Sequence, residues 1–295
     1  MSEFSRSRDN LGISAYLLSM TPAGLAPSDP AAPDAERDKG ASAAAVPAPA
    51  EAPGTPHAAA EGPGPLLTAG FSADVYAISE TQVLRRYRSG RDAGPEAELM
   101  RYALAHGFPV PKAVHVGGPD LVLERLHGPT LLQALAAGVT SLHEGAQIMT
   151  DLHDKLHRIP APTSWAPSSP TDWPHVGGGD VVVHLDLHPG NIVLSEAHGP
   201  MLVDWANART GTAALDVALS ALILAEVAVD AGGEYSEAAR VLLAAFLAGV
   251  HLDVRPVLNE AAHLRANDPA LVAGERELLG EAVGLVRSME NVTRD

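Results

Sequence analysis

The sequence predicts an α+β fold in two lobes, a small sheet-and-helix lobe leading into a larger, mainly helical one, behind a long tail. Three observations predict it. Short β-patterned runs cluster between Leu66 and Leu126, helical periodicity dominates from Leu131 onward, and two apolar strands interrupt the helices to deliver a group of acids and an amide. With 295 residues, 46% of them apolar, the chain is long enough to bury a substantial core.

The tail comes first. From Thr21 to Pro65 the chain is Ala, Pro and acid, and holds ten of the 24 prolines. Such a composition cannot bury enough surface to offset its conformational entropy. Residues 1–64 are therefore expected to be a disordered, partly polyproline-like tail, with Leu11–Met20 as a transient helix. Arg6 and Arg8 ahead of that segment echo a secretory leader, but Gly12, Ser14 and Ser19 weaken its apolar character. The folded domain is expected to start near Leu66.

In the first lobe, 65–126, Val75–Ile78 and Thr81–Arg85 flank Ser79-Glu80 as a hairpin. A helix follows over Pro95–His106, with proline at its start and Gly107 beyond its end. Strand patterns then cover Ala113–Val116 and Leu121–Leu126. In the second lobe, 127–295, helices are expected over Leu131–Ala137 and Ser141–Ile159, the latter stopped by Pro160 and Pro162. Trp165–Gly179 reads as a loop, in which the run Gly177–Gly179 precedes a strand and is a flexible turn rather than a phosphate loop. From Ala213 to Val286 the chain reads as helical, broken near Gly232, Pro256 and Pro269.

Charge and composition exclude several function classes. The net charge is −16 and Lys and Arg form no stripe, which argues against a nucleic-acid backbone as partner. No apolar run reaches the 18 or so residues that span a bilayer, since Val217–Val229 contains Glu226 and is bracketed by Asp216 and Asp230. That segment reads as a buried helix. The absence of cysteine removes disulfides, thiolate zinc sites and a cysteine nucleophile, and fits a cytoplasmic protein. The expected partner is a small-molecule substrate. Asp230, Glu234 and Glu237 offer attraction for a polyamine sugar, although acids on helical segments more often form a solvated face.

The chemistry concentrates in Val181-Val182-Val183-His184-Leu185-Asp186-Leu187-His188-Pro189-Gly190-Asn191 and in Met201-Leu202-Val203-Asp204-Trp205. An apolar strand that ends in polar residues pushes them out of the core at a fixed point. Asp186 and Asn191 are five residues apart across a tight turn, and Asp204 follows thirteen residues later behind a second strand. Magnesium favours hard oxygen ligands, one or two carboxylates completed by substrate phosphates. Asn191 and Asp204 suit that role, which frees Asp186 to orient a hydroxyl. The same residues permit a rival reading, a metallohydrolase with His184, Asp186 and His188 on one side of a strand. It leaves Asn191 unexplained, and His153 and His157, the other close histidine pair, are expected to pack on their helix.

These motifs resemble the catalytic loop and metal-binding segment of the protein-kinase-like superfamily, in its aminoglycoside phosphotransferase and choline kinase branch. Matching segments run from about Leu66 to Leu224. The resemblance implies a two-lobed protein-kinase-like fold and an ATP- and Mg²⁺-dependent transfer of the γ-phosphoryl group to a hydroxyl of an aminoglycoside-like compound, an amino sugar or a metabolite alcohol. It makes Asp186 the catalytic aspartate and gives Asn191 and Asp204 to magnesium. His184 becomes an orienting residue, and Asp216 the buried acid that braces the catalytic loop, a role compatible with the simpler one of a helix N-cap. Gly70 and Ser72 occupy the loop that folds over the nucleotide phosphates. Arg85 stands where the family has a lysine, with Glu96 as its helix partner, since the only lysines are Lys39, Lys112 and Lys155. Glu124 and Leu126 are the connector positions whose backbone would bind adenine. Because arginine does not replace lysine sterically, a catalytically silent nucleotide-binding module is the second alternative.

Overall fold

The computed structural model describes residues 63–167, 173–230, 235–271 and 274–294. The tail through residue 62 with its expected helix over Leu11–Met20, the break at Gly232, and Glu234 lie outside the described residues. The chain folds as the α+β architecture that the patterning predicts, a small antiparallel sheet followed by a helical body.

Five strands, β1 (Leu66–Ala69), β2 (Ala73–Ala77), β3 (Gln82–Tyr87), β4 (Ala113–Gly117) and β5 (Asp120–Glu124), form one antiparallel sheet in the order β1-β2-β3-β5-β4. The central strand β3 pairs Arg85 with Val75 on one side and with Leu121 on the other. Because side chains alternate along a strand, Val83, Arg85 and Tyr87 share one face, and all three are buried. Helix α1 (Gly94–Ala105) links β3 to β4 and buries Glu96, Ala97, Leu99, Met100 and Ala103. Pro95 starts it, as expected, where a missing N–H costs nothing.

The crossing to the helical body is pinned by Gly128. Its φ is +136°, and a Cβ there would fall 2.0 Å from Leu194 O, so no other residue fits. Flanking backbone bonds from Leu194 N to Pro129 O and from Glu196 N to His127 O fasten the segment. Reciprocal capping boxes then open α2 (Leu131–Ala136), through Thr130 and Gln133, and α3 (Leu142–Leu156), through Ser141 and Glu144.

Two short hairpin-like pairs carry the motifs. Strand β6 (Val181–Val183) pairs with β9 (Arg209–Gly211), and β7 (Ile192–Ser195) with β8 (Gly199–Leu202). Gly179 lies against Gly211, where a side chain would clash, which explains a glycine there without any phosphate role. Helices α4 (Ala213–Val229), α5 (Ser236–Gly249), α6 (Leu258–Ala266) and α7 (Glu275–Arg294) complete the body. Helix α4 is buried continuously from Leu215 to Ala228, so its all-round apolarity marks a central core helix. No described helix is long and apolar enough to cross a membrane. The last helix runs on to Arg294, beyond the expected end at Val286, because nothing after Gly274 interrupts it. One hydrophobic core joins Tyr87, Leu99, Met100 and Phe108 of the first lobe to Leu185, Leu187 and Trp205 beside the motifs.

Candidate active site

The segment His184–Asn191 and the residue Asp204 are held by strain and its compensation. Leu185 and Asp204 are the two non-glycine residues with positive φ among the described residues, at 63° and 60°. Such conformations cost on the order of 1–3 kcal/mol each and persist where the surroundings over-determine them. Asp216, fully buried on α4, provides that at Leu185: Oδ1 accepts the Leu185 N–H at 2.6 Å and Oδ2 accepts the His184 N–H at 3.2 Å. The N-cap alternative for Asp216 is corrected here, because α4 begins after Thr212 and Asp216 lies within its first turn. At Asp204 the anchor is Trp205, which is buried, donates to Leu202 O and stacks edge-on against Phe108 and His184.

Asn191 is buried in a single 3₁₀ turn, Pro189–Asn191, capped by His188. Its amide nitrogen donates to Asp186 O at 2.9 Å and to Asp186 Oδ2 at 3.1 Å. With the nitrogen so committed, the amide oxygen is the group left for another partner. Burial, and then the charge of Asp204, push the Asp186 carboxyl well above the usual carboxylate range.

Arg85 joins the two lobes. Its guanidinium donates to Glu96 Oε1 at 2.8 Å and to Asp204 Oδ1 at 2.5 Å, and Arg85 and Glu96 are both buried. Glu96 also accepts from the Tyr87 hydroxyl. Burial opposes ionisation of Asp204, but the Arg85 charge and its hydrogen bond outweigh that and hold the carboxyl below its ordinary value. The same partners raise Arg85 against the opposing effect of burial. Planar geometry explains how one arginine reaches two carboxylates on different elements.

Two cavities meet here. The first is lined by Gly70, Ser72, Arg85, Glu124, Leu126, Asn191 and Asp204 among others, and so gathers the predicted phosphate-loop, connector and metal-ligand positions. Gly70 donates to Ala73 O, and a Cβ at Gly70 would sit 2.8 Å from that oxygen, so the tight loop requires glycine. The second cavity is lined by Asp186, His188, Asp204, Arg88, Arg91 and Arg265 among others. Phe71, Ser72 and Asp204 line both. Glu96, His184 and Asp216 line neither and act from behind.

The zinc or manganese triad of the hydrolase alternative does not form. His184 Nε2 lies 3.1 Å from Val203 O and therefore carries its proton, and His188 Nδ1 accepts from Gly190 N, which places the His188 proton on Nε2, 3.8 Å from Asp186 Oδ1. Burial holds the two rings neutral, lowering His184 to about 4 and His188 to about 3. His184, Asp186 and His188 do not group as metal ligands; among the described residues His153, His157 and Asp216 do. The expectation of simple packing for His153 and His157 is likewise corrected: both rings face Asp216.

Sequence reasoning did not single out Arg265 or Asp268. Arg265 is buried in bonds to Glu226 and Asp268 at the floor of the second cavity. Arg265 and Asp268 are three residues apart, but Glu226 lies 39 residues from Arg265, so no local spacing ties the group together. Asp230 and Glu237 line neither cavity.

A sheet lobe and a helical lobe with a strand arginine paired to a helix glutamate, and an Asp–Asn–Asp group at their junction, define a kinase-like protein. The model of the phosphotransferase enzyme family APH matches residues 64–176 and 170–246, and the chain belongs to that family. It is a small-molecule phosphotransferase. No curated protein matches it in sequence. Among solved structures it is similar to the streptomycin–ATP–APH(2")-IIa ternary complex, with 15% identity, 77% of this chain and 92% of that chain covered, and a TM-score of 0.49. It is also similar to a choline/ethanolamine kinase family protein from Mesorhizobium loti, with 15% identity, coverage of 79% and 82%, and a TM-score of 0.44. For the amicoumacin kinase hAmiN bound to AMP-PNP the corresponding values are 17%, 76% and 87%, and 0.40.

Proposed function

We propose that the protein transfers the γ-phosphoryl group of ATP to a hydroxyl of a small molecule, with ATP in the first cavity and the acceptor in the second. The observation that carries this reading is the shared wall: Asp204 borders both cavities, and Asp186 faces the second beside it. Donor and acceptor can then meet in line at one place, and such a transfer depends mainly on positioning and charge stabilisation.

In this reading Asp186 accepts a hydrogen bond from the acceptor hydroxyl and takes its proton as the phosphoryl group arrives. Its raised affinity for protons suits that base role. Asn191 keeps Asp186 oriented through one bond to its carboxylate and one to its backbone oxygen. The residues also fit magnesium: the Asn191 amide oxygen and Asp204, whose side chain keeps 32% exposure, are hard donors on one cavity wall. Bound there, the ion would neutralise phosphate charge. Arg85 presents cationic density to the phosphates from the sheet, Ser72 closes over them from the β1–β2 loop, and the backbone at Glu124 and Leu126 receives the adenine. The second cavity sets Arg88, Arg91 and Arg265 against Asp186, Asp204 and Asp268, so its charge is mixed. That balance favours a neutral or zwitterionic hydroxyl compound over a polycation.

The test is a screen of aminoglycosides, amino sugars, choline-like alcohols and homoserine, each with ATP and magnesium, followed by ADP release. Turnover with a hydroxyl acceptor, lost on magnesium removal, is the expected result. A protein that neither binds nor turns over ATP with any acceptor would overturn the assignment.

A further inference from the structure

Against the segment that presents Asp186, and lining neither of the two cavities above, His153 and His157 of α3 and Asp216 of α4 converge. His157 Nε2 lies 2.9 Å and His153 Nδ1 3.6 Å from Asp216 Oδ2, and the three candidate ligand atoms all lie within 4.8 Å of one another. The histidines are four residues apart, so both rings leave one face of the helix, 5.2 Å between centroids.

The protons at this cluster do not balance without a further partner. His153 Nε2 lies 3.0 Å from Ser220 Oγ, whereas Nδ1, on a side chain only 2% exposed, is buried with no hydrogen-bond partner. If Nδ1 carried a proton, 3.6 Å to the carboxylate would be too long to bond it. If it carries a lone pair, that lone pair faces a carboxylate oxygen. Burial lowers the affinity of His153 for protons, in keeping with a neutral ring. A cation placed between the nitrogen and the oxygen would satisfy both.

We propose that His153 Nδ1, His157 Nε2 and Asp216 Oδ2 form a zinc-binding site that braces the catalytic loop. Zinc bonds of about 2.0–2.2 Å to nitrogen and oxygen in a tetrahedron set neighbouring ligand atoms ~3.4 Å apart. The His153–Asp216 separation of 3.6 Å is close to that, and the His157–Asp216 pair at 2.9 Å opens by about half an ångström. Zinc takes the Nε2 lone pair of His157 in place of the Nε2–H···O bond, and the Nε2 proton moves to Nδ1. Ser220 acts as the outer partner that fixes the His153 ring. The fourth position falls to water, for which a cavity of about 340 Å³ lined by Thr150, Asp154, His157, Val217 and His251 gives room and a route in. Asp216 keeps its bonds to Leu185 N and His184 N, so the ion would stiffen the segment that presents Asp186.

The test uses the full chain, freed of metal by chelation and titrated with zinc by calorimetry, with melting curves alongside. One zinc per chain is expected, with Tm raised by about 5–10 °C at roughly a hundred times Kd. His153→Leu and His157→Gln should each abolish that binding, while Asp204→Asn retains it. The amide introduced by His157→Gln keeps a donor for Asp216, so this variant tests ligation even if His153→Leu does not fold. Cobalt in place of zinc should give the visible absorption of a four-coordinate ion in the wild type and in Asp204→Asn, and not in the two histidine variants. Failure of the wild type to bind zinc, or binding retained in His157→Gln, would overturn the site, and neither result bears on ATP turnover.

Discussion

Arg85 is the most demanding single position in the site, and Arg85→Met tests why. The side chain is removed from between Glu96, a buried carboxylate, and Asp204, whose side chain is 32% exposed. Breaking a buried ion pair from one side costs about 3–5 kcal/mol, because the remaining charge stays desolvated. Most of that cost falls on Glu96, which retains only the Tyr87 hydroxyl and an Arg91 nitrogen 3.9 Å away, whereas water can reach Asp204. For a folded region of this size each kcal/mol moves Tm by roughly 2–4 °C, so a fall of about 6–20 °C is expected. The urea midpoint should move with it at constant slope. Pairing the change with Glu96→Gln removes the stranded charge and should recover about half of the loss, a coupling that a double-mutant cycle reads directly. A stability change below about 1 kcal/mol in Arg85→Met, or a double variant no more stable than the single one, would refute the ion-pair argument.

Three further outcomes follow from the same geometry. Asp186→Asn should raise Tm at neutral pH while abolishing turnover. The folded-state pKa of Asp186 lies above its unfolded value, so its ionisation costs stability once pH rises through the folded value, and melting against pH should show the two proteins converge in acid. His153, His184 and His188 have lowered values, the latter two about 4 and about 3, so the unfolded chain binds protons first as pH falls below about 6.5. If all three are protonated only in the unfolded state, stability should fall by roughly 4 kcal/mol per pH unit toward pH 4, measurable by denaturant unfolding at each pH. Asp216→Ala strands the N–H groups of His184 and Leu185 and releases the strained Leu185. A loss of about 2–5 kcal/mol is expected, with faster amide hydrogen exchange at Leu185.

What the sequence made legible is what lies close along the chain. His184 to Asn191 and Asp204 could be read because short apolar strands fix their exits, and α3 because its periodicity is helical and Pro160 stops it. Arg85 and Glu96 are eleven residues apart across one turn, near enough for the pairing to be anticipated. The contacts that escaped are long-range. His157 meets Asp216 across 59 residues and Arg265 meets Glu226 across 39, and no periodicity records which faces of two helices touch. Asp216 stands between the two: its place near the start of α4 suggested a cap, the resemblance assigned it to brace the loop, and the bonds to His184 N and Leu185 N arise from how α4 packs under β6.

The central claim is that Asp186 serves phosphoryl transfer from ATP to a hydroxyl acceptor. It is tested most directly by following phosphate from labelled ATP to the best acceptor with wild type and Asp186→Asn side by side, at saturating magnesium. The account predicts labelled acceptor with wild type and at least about a hundredfold less with Asp186→Asn, with ATP binding retained in both. Undiminished transfer by Asp186→Asn would contradict it.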